Sequence, residues 1–384
     1  MIYLDNAATT YPKPHIVQAA VSNAMGRGAN PGRSGHKLSA EAAETVYRCR
    51  SALADFFGCD SPECVAFTLN CTYAINMVLK GLLKKGDHVV CSNLEHNSVM
   101  RPLKALESQG VTYTQATVCQ GDNDQTVDNF RAALRSNTAL IITTQASNVT
   151  GVRVPVERIA ALCHSYGIPL AVDCAQSAGV IPITMEETGI DYLCAPGHKG
   201  LYGPMGTGFL IARSGDRLKT IIEGGTGTGS VQYLHPAELP EKLEPGTQNF
   251  PGIAGLHAGV RFVQQQNPKR VFFHELELMQ YAYDVLSKIE GIRLYTQRPT
   301  ANYHVPVLSF NVGDTDSETV GHYLSQRNIA VRAGLHCAPA THQTLGTLEQ
   351  GTVRISPSVF TQKDEIRRFL QEIQQFMKKL QNRF

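Results

Sequence analysis

Two stretches constrain the fold most: ALIITTQ (139–145) and PLAVDCA (169–175). Both read as strands, and neither alternates apolar with polar residues. A strand with water on one face alternates, whereas a strand covered on both faces does not. Over the first 215 residues such strands take turns with helical patterns. CVAFTL (64–69) precedes YAINMVLKGLLKKG (73–86), and HVVCS (88–92) precedes SVMRPLKALESQG (98–110). VERIAALCHSYG (156–167) separates the first two strands, and DYLCAP (191–196) and GTGFLIA (206–212) add two more. This rhythm predicts an α/β layer with a mostly parallel sheet buried between helices.

The rhythm fails from 213 to about 250, a stretch rich in Gly, Pro and Glu and longer than most loops. A helical region follows over roughly 251–289. VPVLSFNVG (305–313) and IAVRAG (329–334) then read as strands around the helical SETVGHYLSQRN, and KDEIRRFLQEIQQFMKKLQN is an amphipathic terminal helix. The expected division is a large α/β domain over 15–250, with 1–14 and 251–384 forming a smaller α+β domain.

With 384 residues, 42% of them hydrophobic, the chain is long enough for a core that needs no staples. A net charge of +2 without basic or acidic blocks argues against nucleic acid as a partner. No apolar run approaches a membrane span, and MIYLDNAATT has neither the basic start nor the apolar stretch of a secretory leader. Ten scattered cysteines without a C-x-x-C pair suggest reduced thiols and a cytoplasmic setting.

Several polar groups fall just after strand ends, where ligands bind open α/β sheets. Cys71 and Thr72 open a helix, a place that favours phosphate. His96 follows HVVCS, and Asn148 follows ALIITTQ. Asp173 ends an apolar strand, so its carboxylate needs a partner, either an arginine or a cofactor cation. Lys199 follows His198 among five glycines from Gly197 to Gly208, which let the backbone approach a ligand closely. A lysine there can bond covalently to a carbonyl cofactor. Cys337 lies in RAGLHCAP, between the turn formers Gly334 and Pro339.

YLDNAATT, Glu95-His96, SNVTG, VDCAQS, GHKGLYGPMGTGFL, EPGTQN and RAGLHCAP followed by VRIS occur in one order. Together they resemble the class V aminotransferase-type, pyridoxal-phosphate-dependent cysteine desulfurases and selenocysteine lyases. The similarity runs from residue 3 to about 361. It implies the PLP fold type I (aspartate aminotransferase-like) and pyridoxal 5'-phosphate as cofactor. Lys199 would hold the cofactor, Asp173 would pair with its ring nitrogen, and His96 would stack on the ring and shuttle protons. Gln176 would touch the phenolic oxygen. Cys71, Thr72 and His198 would bind the phosphate, joined by Thr247 from the other subunit of a homodimer with shared active sites. Asn148 and Arg354 would hold the substrate carboxylate, and Cys337 would take the sulfur of L-cysteine as a persulfide before passing it to an acceptor protein. The Cys337 thiolate needs local positive charge or a nearby base, for which His336 and Arg332 are the candidates.

Two positions depart from the family pattern: Gly197 stands where serine is frequent, and Cys71 where threonine or serine is common. Only sixteen residues separate Cys337 from Arg354, which resembles the SufS-like branch with its short catalytic loop. Selenocysteine lyase, a related aminotransferase and a cofactor-free persulfide carrier are the alternatives. Zinc binding by His336, Cys337 and His342 lacks a fourth ligand at ordinary spacing, so no metal is expected.

Overall fold

The computed structural model describes residues 1–32 and 34–381. Its centre is a seven-stranded sheet in the order Val65–Thr68, Gly208–Ala212, Tyr192–Pro196, Leu170–Asp173, Thr138–Thr144, His88–Ser92, Thr112–Ala116. The pairings from Thr112–Ala116 through to Tyr192–Pro196 are all parallel. Gly208–Ala212 is antiparallel to both of its neighbours.

The absence of alternation in ALIITTQ has the expected cause. Ile141 points into one apolar core, while Leu140 and Ile142 point into another on the opposite face. Leu193 and Cys194 divide the same way, as do Phe209 and Leu210. Helices cover both faces. Lys37–Phe57, Asn123–Ala132 and Val156–Tyr166 supply the first with residues such as Leu53, Phe130 and Ile159. Cys71–Leu82 and Asn97–Glu107 supply the second with Ile75, Leu79, Val99 and Leu103.

A second unit holds a three-stranded antiparallel sheet, in the order Val353–Ile355, Leu308–Val312, Ile292–Leu294. Helices Pro268–Leu286, Ser317–Ser325 and Lys363–Gln381 pack with it around Phe310, Leu324 and Phe369. The N-terminal strand Ile2–Tyr3 pairs in parallel with Ile329–Ala330, which ties the chain start to this unit. The helical region after 250 is two helices, Phe250–Gln265 and Pro268–Leu286. The break falls at Asn267, whose φ of 57° ends one helix and whose side chain caps the next, with Pro268 in its first turn. Ile253, Leu256 and Val260 of the first helix pack into the large sheet's core, although the expected division falls at 250. Between the strand ending at Ala212 and Phe250 the regular structure is two short 3-10 turns, Gly215–Arg217 and Glu241–Leu243. Among the described residues no helix is long and apolar enough to cross a membrane.

Candidate active site

The carboxyl ends of the parallel strands deliver their following residues to one cavity of ≈ 170 Å³. Asp173, the last residue of its strand, lines this cavity. Thr144 and Ala146 come from the next strand's end, and His96 from the one beyond. Asn70, Cys71 and Thr72 come from the start of helix Cys71–Leu82, and His198 and Lys199 from the glycine-rich turn. Six residues expected from the sequence to meet a ring and its phosphate therefore line it: Cys71, Thr72, His96, Asp173, Gln176 and His198. Asn148 and Lys199 join them.

Glycine makes two of these approaches possible. A Cβ on Gly208 would lie 2.6 Å from the Asn70 carbonyl carbon and 3.0 Å from the Cys71 nitrogen. A Cβ on Gly197 would lie 2.3 Å from Thr207 Oγ1. The helix start can therefore sit against the strand beside it only because position 208 has no side chain. Asn70 caps this helix through its side chain, which accepts from Tyr73 N at 3.0 Å. The first N–H groups of a twelve-residue helix then face the cavity, where its dipole favours an anion.

Asp173 is 3% exposed and held on three sides. Its Oδ1 accepts from Ala175 N at 2.8 Å and from the Cys71 thiol at 3.4 Å, and its Oδ2 accepts from Ser98 Oγ at 3.4 Å. Cys71 thus directs its sulfur at a carboxylate, and its contribution to an anion site is its backbone N–H. Burial, followed by the Asp173 charge, pushes the Cys71 thiol well above its ordinary pKa, so it stays protonated.

His96 caps helix Asn97–Glu107. Its Nδ1 accepts from Ser98 N at 3.0 Å, which leaves Nε2 as the protonated nitrogen of the neutral ring. Burial lowers its pKa more than Asp173 raises it. The carboxyl of the preceding residue, Glu95, is fully buried and accepts from Ser92 Oγ and from Thr144 N at 2.8 Å, and burial pushes its pKa up to about 8.

Lys199 has its pKa lowered to about 8, first by burial and next by the charge of Arg354. About a tenth of its amine is therefore uncharged at pH 7, and about half at pH 8. His198 is lowered to about 4 by burial and then by Lys199 and Lys13, so its ring is neutral. Its Nδ1 is buried and has no protein partner. The carbonyl of His198 accepts from Lys13 Nζ at 2.7 Å and from Thr9 Oγ1 at 3.1 Å, which fixes the turn before Lys199.

Arg354 is 2% exposed. Its Nη1 donates to Asn148 O at 2.9 Å, its Nη2 to Asp5 Oδ1 at 2.9 Å, and its buried Nε has no partner. Asp5 sits in the YLDNAATT motif, but a carboxylate there does not announce an arginine 349 residues away. Ser98 was equally hidden, as one polar residue in an amphipathic helix.

Cys337 is exposed, and its loop is fastened to the same site. Asn148 Nδ2 donates to His336 O at 2.8 Å, and Asn97 N donates to Cys337 O at 2.7 Å. His336 and Cys337 have φ of 49° and 56°, two successive non-glycine residues in the left-handed region. Such backbone costs on the order of 1–3 kcal/mol per residue and clusters at functional sites. The expectation that His336 charges the thiolate's surroundings is corrected. Its ring is buried, bound through Nε2 to Thr352 Oγ1 at 3.0 Å, and burial lowers its pKa to about 2, so it carries no charge. Arg332 bridges to Arg354 through the backbone, which ties the start of the loop to the strand Val353–Ile355. His342 turns its Nδ1 to Thr347 Oγ1 at 2.8 Å, and among the described residues no three His, Cys, Asp or Glu side chains converge as metal ligands.

Thr247 lies elsewhere in the chain, exposed beside a cleft of ≈ 270 Å³ with Leu69, Tyr73, Ile222 and Asn249. Its expected role concerned a second subunit.

The donor set fits pyridoxal phosphate. A helix start and the unpartnered His198 Nδ1 suit its phosphate, a fixed carboxylate suits its ring nitrogen, and an amine of lowered pKa suits its aldehyde.

Comparison with known proteins agrees with this geometry. The family model for class-V aminotransferases matches residues 2–369. A probable cysteine desulfurase of Methanothermobacter thermautotrophicus is 33% identical over 374 residues, spanning 95% of this chain and 92% of the relative. One from Synechocystis is 29% identical over 97% of this chain and 90% of its own length. Among solved structures, the apo cysteine desulfurase of Thermococcus onnurineus superposes with a TM-score of 0.91 at 30% identity, covering 98% of this chain and 95% of its own. The Escherichia coli cysteine desulfurase CsdA, in an S-sulfonic acid form, gives 0.88 at 25%, covering 98% and 94%.

Proposed function

The chain belongs to the class-V aminotransferase family, and on that footing we propose that it is a pyridoxal-phosphate-dependent cysteine desulfurase. It converts L-cysteine to L-alanine and leaves the sulfur on Cys337 as a persulfide. The observation that carries this reading is the fastening of the strained Cys337 loop to His96's neighbour Asn97 and to Asn148, beside the lysine and aspartate of one cavity.

Cys71 and Thr72 through the helix start, together with His198, would hold the phosphate. Asp173 would hold the ring nitrogen, with Gln176 and His96 alongside. Bound pyridoxal phosphate supplies an electron sink that makes the Cα proton of an amino acid removable. Arg354 and Asn148 bind the substrate carboxylate, for which a guanidinium offers planar donors. Lys199 Nζ takes the Cα proton, which its lowered pKa permits near neutral pH. Cys337 Sγ, as thiolate, attacks the substrate sulfur. The Sγ–S bond forms as the Cβ–S bond breaks, and that bond's electron pair stays with carbon. The carbon gains a proton and becomes the alanine methyl group. The exposed position of Cys337 suits handing sulfur to an acceptor.

A homodimer would complete the site through Thr247 of a second copy. The exposed Val231, Tyr233 and Leu234 of the irregular segment support this, because apolar side chains so bare gain from burial. Ten unlinked thiols suit a reducing cytoplasm.

The test supplies the purified chain with pyridoxal phosphate, L-cysteine and a thiol reductant, and measures alanine and sulfide. Equal amounts of both are expected, with neither from Lys199→Ala. Cys337→Ala is expected to lose cysteine turnover while keeping the cofactor's absorbance. Selenide release that survives in Cys337→Ala would favour selenocysteine as substrate, and amino transfer to an oxoacid without sulfide would favour an aminotransferase.

A further inference from the structure

The motif YLDNAATT touches the site at two points. Asp5 holds Arg354, whereas Thr9 and Thr10, with Lys13 just beyond the motif, converge on the backbone carbonyl of His198. Lys13 Nζ donates to that oxygen at 2.7 Å, Thr9 Oγ1 at 3.1 Å and Thr10 N at 3.2 Å. Lys13 Nζ also donates to Thr10 Oγ1 at 2.8 Å, and this hydroxyl lies 3.2 Å from the carbonyl oxygens of both His198 and Lys199.

Two threonines are enough to tie down one carbonyl, yet the third member of the cluster is a cation. Lys13 is half-buried, and among the described residues it enters no ion pair. Burial lowers its pKa to about 8, so it is still mostly charged at pH 7. An ammonium drawn partly out of water without a carboxylate is unfavourable, and an anion bound nearby offsets that cost.

The neighbouring anion site has the opposite deficit. His198 lines the cavity with a neutral ring, and the start of helix Cys71–Leu82 offers N–H groups and a partial charge. A phosphate monoester brings about two negative charges near neutral pH. Lys13 does not line the cavity, but its ammonium is bonded to a residue that does, so the two charges attract at a range of about one residue.

We propose that Lys13 is a further residue of the phosphate site that acts through His198: held on the His198 carbonyl, its ammonium supplies the full positive charge that the phosphate's own ligands lack. This rests on the reading of His198 and the helix start as those ligands.

The test titrates the apo protein at pH 7 with pyridoxal phosphate and, separately, with 5'-deoxypyridoxal, which keeps the ring and the aldehyde but has no phosphate. Absorbance reads both affinities. Lys13→Gln, and Lys13→Met with its longer stem, are expected to weaken pyridoxal phosphate by at least about fivefold. The same variants should change 5'-deoxypyridoxal by less than about twofold, because Thr9 and Thr10 still hold the carbonyl. Lys13→Arg restores the charge and is expected to stay within about twofold of the unaltered protein for both ligands. An equal loss for both ligands in Lys13→Gln and Lys13→Met would reduce Lys13 to a tie on the turn and overturn the proposal, as would no loss for either. Unaltered protein that binds the two ligands alike would overturn the phosphate site itself, and the role of Lys13 with it.

Discussion

Lys199 and Arg354 show how single residues acquire their chemistry from burial. A lysine amine must lose its proton before it can attack an aldehyde, and an ordinary lysine does so near pH 10.5. Burial and the Arg354 guanidinium bring Lys199 down to about 8. Cofactor loading of the apo protein should therefore rise with pH through about 8 and level off beyond it, read by stopped-flow absorbance. A rise that continues toward pH 10 would show an unperturbed amine. Arg354 in turn depends on Asp5, whose carboxylate takes one of its terminal nitrogens at 2.9 Å. Asp5→Asn keeps the shape but removes the charge. It should weaken the hold on the guanidinium and raise KM for cysteine by about tenfold with a smaller change in kcat, which steady-state kinetics separates; a single charge-assisted hydrogen bond is worth about 1.5–3 kcal/mol.

At the scale of elements, the site depends on where a helix begins. The start of Cys71–Leu82 lies against Gly208, and any Cβ there meets backbone, which cannot rotate away. Gly208→Ala should displace the helix start and weaken pyridoxal phosphate binding by at least about tenfold, measured by fluorescence titration. The accompanying loss of stability should be about 1–3 kcal/mol, the usual cost of overpacking. The elements that make this cavity were the legible ones. Unalternating strands such as Leu170–Asp173 showed that both faces were covered, and the cavity follows from where parallel strands end. Asp173, His96 and Lys199 could therefore be placed from their positions after strands. The links between distant segments could not. Asp5 meets Arg354 because the chain start pairs within the small unit beside Val353–Ile355, and Asn97 meets Cys337 because a loop of that unit reaches the large sheet's cavity. Neither contact leaves a local signal in periodicity or spacing. The His336 reading failed for a related reason: a histidine next to a reactive cysteine looks charged until its burial against Thr352 is known.

Over the whole molecule, buried acids and bases set opposing pH slopes. His198 and His304 are lowered to about 4 and His336 to about 2, all chiefly by burial. The unfolded chain takes up protons at these sites below pH 6.5, so stability falls as acid is added from there. Glu95 and Glu275 are raised to about 8, again by burial first. The folded chain keeps their protons where the unfolded chain has lost them. Their contribution is full below about pH 4.5 and declines as pH rises toward 8. Above pH 6.5 the histidine contribution fades while the carboxyls pull the urea midpoint down, and near pH 8 the lowered Lys199 amine begins to pull it up, so the carboxyl share is read from a variant rather than from the bare slope. Each carboxyl adds at most about 1.4 kcal/mol per pH unit. Glu275→Gln, an uncharged replacement on helix Pro268–Leu286, should flatten the decline. An unchanged slope would mean that Glu275 is already ionised in the folded protein.

The proposed function ends in the transfer of one sulfur atom to the thiol of Cys337 on its strained, exposed loop. The most direct test mixes the pyridoxal-phosphate-loaded protein with L-cysteine in the absence of reductant, stops the reaction after one turnover, and weighs the peptide containing Cys337. This peptide is expected to gain the mass of one sulfur atom, removable by reductant, for each alanine formed. Alanine formed at full rate with Cys337 unmodified, or with the added sulfur on another cysteine, would contradict it.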